Sequence, residues 1–76
     1  MQEKRDNEIQ HMLVRLFRRA WIKWGVTQQK CSEIFDSCNL DDYIVDMYEI
    51  YHVQGDEANI SDIEEHIKSM GVAYGR

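Results

Sequence analysis

The chain has 76 residues, of which 43% are hydrophobic and 30% are charged, and its formal net charge is −5. This composition excludes a disordered chain, because it supplies enough apolar surface for a core, and the length predicts one domain over residues 1–76. No apolar run approaches the about 20 residues of a membrane-spanning helix, and the charged N-terminus is unlike a signal peptide. We therefore expect a cytoplasmic protein without a membrane partner.

The charge is distributed unevenly along the chain. Residues 1–24 hold six basic and three acidic residues, whereas residues 25–76 hold three basic and eleven acidic ones. An acidic majority repels the phosphates of nucleic acids, so nucleic acid is not expected as the main partner. It favours a basic protein as the partner, through electrostatic steering and complementarity. The alternative is an ordinary solvated surface whose charge only keeps the protein soluble.

The pattern of apolar residues predicts helices throughout. The chain contains no proline, and strict alternation of apolar and polar residues never persists. We therefore predict an all-α, compact four-helix domain with a long amphipathic helix 1, three shorter helices and no sheet. Helix 1 is predicted from about Asp6 to Trp24, with Gly25 ending it in a left-handed conformation. Its apolar positions are Ile9, Met12, Leu13, Leu16, Phe17, Ala20, Trp21 and Trp24, and its opposite face carries His11, Arg15, Arg18, Arg19 and Ile22.

Helix 2 is predicted to start after Thr27, which serves as its N-cap, and to end near Cys38. Its buried line is Cys31, Ile34, Phe35 and Cys38. Seven residues of helix would separate the two cysteine Cα atoms by about 10 Å, which is too far for a disulfide within the chain. We expect both cysteines to be reduced core thiols whose pKa is raised by apolar burial, and therefore inert.

Helix 3 is predicted to follow a break at Asn39-Leu40-Asp41 and to run to about Tyr51 or His52. A wide apolar arc predicts a central position between two neighbours. The arc consists of two stripes. The first stripe is Ile44, Met47, Tyr48 and Tyr51, and the second is Tyr43, Met47 and Ile50. The remaining face holds Asp42, Asp46 and Glu49, with Val45 among them.

Helix 4 has a start signal of its own. Gly55 marks a turn, and Ser61-Asp62-Ile63-Glu64 has the pattern of a capping box. Gly71 is predicted to end the helix. Its inner edge is Ile60, Ile63, Ile67 and Met70. We expect an ordered core over about 6–71 and a frayed tail over 72–76.

The segment from Asp42 to Gly71 carries a recognisable order of motifs. It begins with Asp42-Tyr43-Ile44, continues with Tyr48 four residues before His52 and with the turn Gln54-Gly55-Asp56-Glu57, and closes on a helix that contains the run DIEEHI. This order resembles a family of small bacterial all-helical proteins of unknown function, and the resemblance covers about residues 9 to 71. Members of that family are often encoded beside ADP-ribosyltransferase-like toxin candidates. The resemblance therefore implies an antitoxin-like or accessory role.

Catalytic and metal-binding patterns are incomplete in this sequence. His52 and Asp56 form a pair without a nucleophile, so we expect no enzymatic activity. The three histidines and two cysteines lack the spacing of a zinc site, and the acidic segment 55–65 lacks the core of a calcium loop. We expect no metal and no cofactor.

Tyr48 and His52 allow two interpretations. In the structural one, Tyr48 fills the core while His52 donates to free carbonyls at the end of helix 3. In the functional one, the pair contacts a ligand or a partner. The turn over residues 54–57 is equally open, because it either needs glycine for its conformation or forms an exposed contact loop.

We predict a non-catalytic protein-binding module that docks an acidic face on a basic enzyme. The predicted contact residues are Asp42, Val45, Asp46, Glu49, His52, Gln54 and Asp56. Arg15, Arg18 and Arg19 could meet the acidic face of a second copy, which would give a homodimer. Two alternatives stay open: a small DNA-binding transcriptional regulator that uses helix 1 or a helix-turn-helix of helices 2 and 3, and a phage-derived or host-defence inhibitor of a nucleic-acid enzyme.

Overall fold

The computed structural model describes residues 2–75, with the side chains of residues 4–75, and contains five α-helices and no strand in that range. The helices are α1 (Gln2–Trp24), α2 (Gln28–Ser37), α3 (Leu40–Asp46), α4 (Tyr48–Tyr51) and α5 (Asp56–Ser69). The all-α prediction is confirmed. The predicted count of four helices differs from the observed count, because the predicted helix 3 is divided into α3 and α4.

α1 spans most of the longest dimension of the molecule, which is 40 Å. Its 23 residues extend about 34 Å at about 1.5 Å per residue. The helix begins four residues before the predicted start at Asp6. Its apolar positions face the other helices, with Leu16 and Ala20 fully buried, and the predicted opposite face with its three arginines is exposed.

α1 ends in a Schellman turn. Gly25 has φ 67°, and the N–H groups of Gly25 and Val26 donate to Ile22 O and Trp21 O, each at 3.3 Å. Glycine adopts this left-handed conformation without the penalty that a Cβ atom brings. Gly71, with φ 75°, ends α5 in the same way. Both predicted helix ends are confirmed.

α2 begins as the sequence predicts. Thr27 is its N-cap residue, and the backbone N–H of Lys30 donates to Thr27 Oγ1 at 3.0 Å. Asn39 follows α2 in the left-handed conformation, with φ 55°, and turns the chain into α3. Asparagine tolerates this conformation better than most residues, which explains the predicted break at this point.

The predicted helix 3 is interrupted at Met47, which has φ −92° and ψ 5°. Its N–H is shared between Tyr43 O at 3.0 Å and Ile44 O at 3.1 Å, so the chain departs from ideal helical geometry for one residue. Ile50, which the sequence predicts to be in the core, is 52% exposed, so that prediction is wrong. The core covers only one side of α4, the side that carries Tyr51.

α5 begins at Asp56, five residues before the predicted start at Ser61, so the predicted capping box is wrong. Gly55 is the N-cap residue, and the N–H of Asn59 donates to Gly55 O at 3.1 Å. Two acidic residues in the first turn complement the helix dipole, which favours this early start without a side-chain cap. Met70, predicted to be on the inner edge, lies past the last residue of α5 and is 48% exposed.

The core lies between α1 and the four shorter helices. Its buried apolar members are Ile9, Met12, Leu16, Ala20, Trp24, Cys31, Ile34, Phe35, Cys38, Leu40, Ile44, Tyr48, Tyr51, Ile60, Ile63 and Ile67. Among the described side chains, Asn59 is the one polar residue that is buried with them. The polar chemistry of this core is therefore concentrated at the start of α5.

The segment after α5 lies against the core. Val72 and Tyr74 pack on it, and the ring centroids of Tyr74 and Trp24 are 5.1 Å apart. Fraying of residues 72–76 concerns motion and stays a prediction. Arg76 lies outside the described residues.

Candidate functional site

The outward side of α3 and α4 carries exposed carboxylates and exposed apolar side chains. Backbone hydrogen bonds cross the interruption, since the N–H of Met47 donates to Tyr43 O at 3.0 Å and the N–H of Tyr51 donates to Met47 O at 2.8 Å. The exposed positions on this outward side include 42, 45 and 46 of α3, 49 and 50 of α4, and 53 in the turn after α4. Three carboxylates on this side are exposed and are called the acidic face here: Asp42, Asp46 and Glu49.

Three exposed apolar side chains accompany the acidic face. They are Val45 at 39% exposure, Ile50 at 52% and Val53 at 75%, and they are called the apolar patch here. The sequence predicts only Val45 as a contact residue. Ile50 was expected in the core, and Val53 lies two residues past the end of α4.

Asp56, a predicted contact residue, is engaged by α1 of the same chain. Its Oδ2 atom lies 2.7 Å from Arg15 Nε and 3.0 Å from Arg19 Nε, and its side chain is only 15% exposed. It lines a groove of about 490 Å³ between α1 and α5 rather than the acidic face. Self-association through Arg15, Arg18 and Arg19 stays a prediction, but two of these arginines already have an internal partner.

Two further ion pairs join α1 to the acidic part of the chain. Arg5 Nη2 lies 3.2 Å from Glu49 Oε2, and Lys23 Nζ lies 3.0 Å from Glu64 Oε2. Residues 28–46 hold one basic and five acidic residues, a net charge of −4. Of the ion pairs found between described side chains, none involves this segment. The uncompensated negative charge is therefore concentrated on α2 and α3.

Gln54, another predicted contact residue, takes part in a structural hydrogen-bond network. Its Nε2 donates to Asn59 Oδ1 at 2.8 Å, and Asn59 Nδ2 donates to Tyr51 O at 3.1 Å. Asn59 therefore satisfies a backbone carbonyl at the end of α4 and holds the following turn. No role was predicted for Asn59 from the sequence. Once α5 is known to begin at Asp56, Asn59 lies inside the helix, four residues before the buried Ile63. Residues four apart share a helical side, so this spacing indicates that the Asn59 side chain points inward.

Tyr48 is held between α1 and α4. Its hydroxyl donates to Glu8 Oε1, its ring stacks on His52 with centroids 5.1 Å apart, and the Arg5 guanidinium carbon lies 5.5 Å from its ring centroid. His52 Nδ1 lies 3.1 Å from Tyr48 O, within reach of a carbonyl at the end of α4. These contacts are the ones that the structural interpretation predicts: Tyr48 is buried, and a ring nitrogen of His52 lies near a carbonyl at the end of α4. The His52 side chain is also exposed, so a partner contact there stays a prediction.

A half-buried carboxylate joins α3, α4 and α5. Asp62 Oδ2 accepts hydrogen bonds from the hydroxyls of Tyr43 at 2.8 Å and Tyr51 at 2.5 Å. The His66 ring stacks on the Tyr43 ring, with the ring centroids 3.8 Å apart. Burial, followed by the hydrogen bond to Asp62, raises the pKa of both phenols above their usual range. The raised pKa keeps both phenols protonated to higher pH than usual, and each hydroxyl donates its hydrogen bond to Asp62. The sequence predicts Asp62 as part of a helix cap and gives no sign of this cluster.

The two cysteines lie in the core, as the sequence predicts. Both are free thiols buried in the core, and burial raises the pKa of Cys31 to about 11 and raises that of Cys38 as well. A thiol that is protonated at neutral pH is a poor nucleophile and a poor metal ligand. Among the side chains of residues 4–75, no group of three histidine, cysteine, aspartate or glutamate residues is arranged to hold a metal ion.

Within residues 2–75, none of the helices has the length and apolar character needed to cross a bilayer.

Comparison with known proteins places the chain in a family. Searches of curated proteins and of solved structures returned no match. A family model described as a protein of unknown function (DUF3791) matches residues 9–70, which is most of the chain. The chain therefore belongs to the DUF3791 family.

Proposed function

We propose that this chain is a non-catalytic protein-binding module, an antitoxin-like or accessory partner that docks its acidic face on a basic enzyme. The observation that carries the proposal is the uncompensated charge of α3. Asp42 and Asp46 are exposed, and of the ion pairs found between described side chains none involves either residue.

Charge complementarity supports a cationic partner. The segment 28–46 has a net charge of −4, which is most of the net charge of the chain. A concentrated negative surface steers a basic protein into contact and repels other acidic surfaces. An enzyme that binds a nucleotide carries cationic groups for its phosphates, and the carboxylates of the acidic face can cover such groups.

The internal ion pairs support the assignment of the docking side. Arg5, Arg15, Arg19 and Lys23 of α1 each have a carboxylate of the same chain within 3.2 Å. The basic half of the chain is therefore largely neutralised from within. Only Glu49 of the acidic face takes part, in an exposed pair of the kind that contributes about 0–1 kcal/mol and exchanges readily for a partner's cation.

A purely structural role for one of these carboxylates makes a different prediction. Asp42 lies in the first turn of α3, where a negative charge complements the helix dipole. That role would show itself as a loss of stability of about 0.3–1 kcal/mol on charge removal, with no effect on association. Asp46 ends α3, where the dipole disfavours a carboxylate, so the dipole does not account for its presence.

The test is charge reversal on the acidic face. The variant Asp42→Lys/Asp46→Lys/Glu49→Lys is co-expressed with the product of the neighbouring gene, and co-purification is measured. We expect co-purification to be lost while the far-ultraviolet circular dichroism stays that of a folded helical protein.

The matched control carries the same change of net charge at other exposed carboxylates. Asp6→Lys/Glu57→Lys/Glu65→Lys adds six positive units, as the test variant does, and all three positions are exposed and lie outside the segment 28–46. We expect this control to co-purify with the partner. Unchanged co-purification of the acidic-face variant, or equal loss in the control, would contradict the proposal.

A further inference from the structure

We propose that the apolar patch and the acidic face together bind a basic amphipathic helix of the partner. This inference rests on the proposed function and specifies the element that the surface recognises. The juxtaposition that carries it is an exposed apolar patch, Val45, Ile50 and Val53, on the side of α3 and α4 that also carries three carboxylates.

The apolar patch supplies what charge alone does not. Exposed rim charges mostly change association rates and salt dependence, whereas apolar side chains that become desolvated supply much of the affinity. Val53 at 75% exposure and Ile50 at 52% contribute little to the core of this chain. Their burial by a partner would be worth about 25 cal/mol for each Å² removed from water.

The geometry of the surface selects a helix as the occupant. A peptide strand binds by pairing with a sheet edge, and residues 2–75 contain no strand. α3 and α4 instead offer exposed side chains at helical spacing on either side of the interruption at Met47, and Val53 follows in the turn after α4. Such a surface accepts the ridges of a second helix, with anchors that recur every three or four residues.

The charge of the surface selects a basic helix. Asp42, Asp46 and Glu49 lie along the same side as the apolar patch, so the flanks of the incoming helix meet carboxylates. Lysine or arginine on those flanks would pair with them, and glutamate or aspartate would be repelled. The same argument disfavours a surface of anionic lipids, which the carboxylates would repel.

A second copy of this chain is the competing occupant. α1 also exposes two apolar side chains, Val14 and Ile22, beside its arginines. Arg15 and Arg19 are already paired with Asp56, so the basic charge that α1 offers to a second copy is reduced. A head-to-tail contact of this kind would also leave one open surface at each end of the assembly. We therefore assign the surface to a different protein.

The experiment uses a synthetic probe of defined chemistry. The probe is a peptide of about 20 residues, long enough to form a helix, with leucine at every third and fourth position and lysine elsewhere. A scrambled peptide of the same composition lacks the apolar stripe, and a third peptide carries glutamate in place of lysine. Binding to the full chain is measured by fluorescence anisotropy. We expect the first peptide to bind and the other two to bind at least about tenfold more weakly.

Two matched variants of the chain locate the contact. Ile50→Ser/Val53→Ser removes most of the apolar patch, and Val14→Ser/Ile22→Ser removes the same side-chain types from α1. All four positions are exposed, so both variants should fold. We expect the first variant to weaken peptide binding about tenfold or more and the second to leave it unchanged. Equal binding of the scrambled peptide, or unchanged binding by the patch variant, would overturn the inference.

Two further outcomes separate this inference from the proposed function. If the patch variant still co-purifies with the partner while the charge-reversed variant does not, the proposed function stands and the amphipathic helix is overturned. Sedimentation velocity of the chain alone tests the second copy as the occupant. We expect a monomer, and a concentration-dependent oligomer that Ile50→Ser/Val53→Ser abolishes would overturn the assignment to a different protein.

Discussion

Asp62 accepts the hydroxyl hydrogens of both Tyr43 and Tyr51 through a single oxygen atom, at 2.8 Å and 2.5 Å. The three residues come from α5, α3 and α4, so this one carboxylate joins the three shorter helices that follow α2. Tyr51 is almost fully buried, and its hydroxyl depends on Asp62 for a strong acceptor. The cluster therefore holds in place the two helices whose outward side carries the acidic face.

Replacing Asp62 with alanine should destabilise the chain. The change leaves two phenol donors without their acceptor, and an unsatisfied buried donor costs about 1–3 kcal/mol. We expect the free energy of unfolding in urea to fall by about 2–4 kcal/mol. Tyr51→Phe should be less harmful in the Asp62→Ala background than alone, because the unsatisfied hydroxyl is removed with its partner. The control Glu65→Ala changes an exposed carboxylate of the same helix and should stay within about 0.5 kcal/mol. A small effect of Asp62→Ala would contradict the structural role of the cluster.

The same cluster predicts a loss of stability at high pH. Burial and the hydrogen bond to Asp62 raise the pKa of Tyr43 and Tyr51 above the usual value of about 10. Because the folded pKa exceeds the unfolded one, this contribution is complete below pH about 10 and is lost as the pH rises through the folded pKa. The free energy of unfolding, measured between pH about 8 and 11, should therefore fall above pH about 10. The Tyr43→Phe/Tyr51→Phe variant should show a shallower fall, and equal slopes in the two proteins would refute the prediction.

Cys31 should add a loss that begins at lower pH. Burial raises its pKa from 9.0 to about 11, so the folded state retains a proton that the unfolded state releases. The contribution is complete below pH about 9 and disappears as the pH rises toward 11. Cys31→Ala should flatten the dependence of unfolding free energy on pH in this window, even if the smaller side chain lowers the overall stability. Rapid labelling of Cys31 by a thiol reagent in the native protein would argue against its burial.

Asn59 should be essential for the turn between α4 and α5. Asn59→Ala removes the acceptor of Gln54 and the donor to Tyr51 O, which leaves polar groups unsatisfied near the core. We expect a loss of about 1–3 kcal/mol in the free energy of unfolding, measured by urea denaturation. Ala58 is exposed on the same helix, so Ala58→Ser provides a control with an expected change within about 0.5 kcal/mol. Comparable effects at the two positions would exclude a specific role for the amide network.

Thr27 and Ser61 separate a real helix cap from an apparent one. Thr27 caps α2 through its hydroxyl, so Thr27→Ala should lower the unfolding free energy by about 1 kcal/mol. Ser61 lies inside α5, where alanine has a higher helix propensity than serine. Ser61→Ala should therefore leave the unfolding free energy unchanged or raise it by roughly a few tenths of a kcal/mol. A loss of about 1 kcal/mol at Ser61 would restore the capping box and the later start of the helix.

Local signals led to the correct helices where the local chemistry is unambiguous. Gly25 and Gly71 end their helices because only a residue without Cβ adopts a positive φ freely, and Thr27 begins α2 because its hydroxyl reaches an unpaired N–H. Serine and glutamate three residues apart are also compatible with the polar side of a helix. That ambiguity is why Ser61 and Glu64 predicted a start that the structure does not have.

The candidate site was predictable in its acidic part and not in its apolar part. Charged residues on a helical face are expected to be exposed, and Asp42, Asp46 and Glu49 are. Whether an apolar residue is covered depends on which neighbours pack against it, so Ile50 could not be distinguished from a core residue. Asp56 was predicted as a contact because nothing in its own segment reveals two arginines that lie 37 and 41 positions earlier in the chain.

The amino-acid sequence by itself determined the helical class, the ends of α1 and α5 and the acidic character of α3, because these depend on spacing, glycine and charge within a few residues. The tertiary structure alone decided which polar groups find partners: Asp62 with two phenols, Asn59 with the end of α4, and Asp56 with α1. Hydrogen bonds and ion pairs act over about 3 Å, and only the packing of helices brings residues distant in the chain within that range.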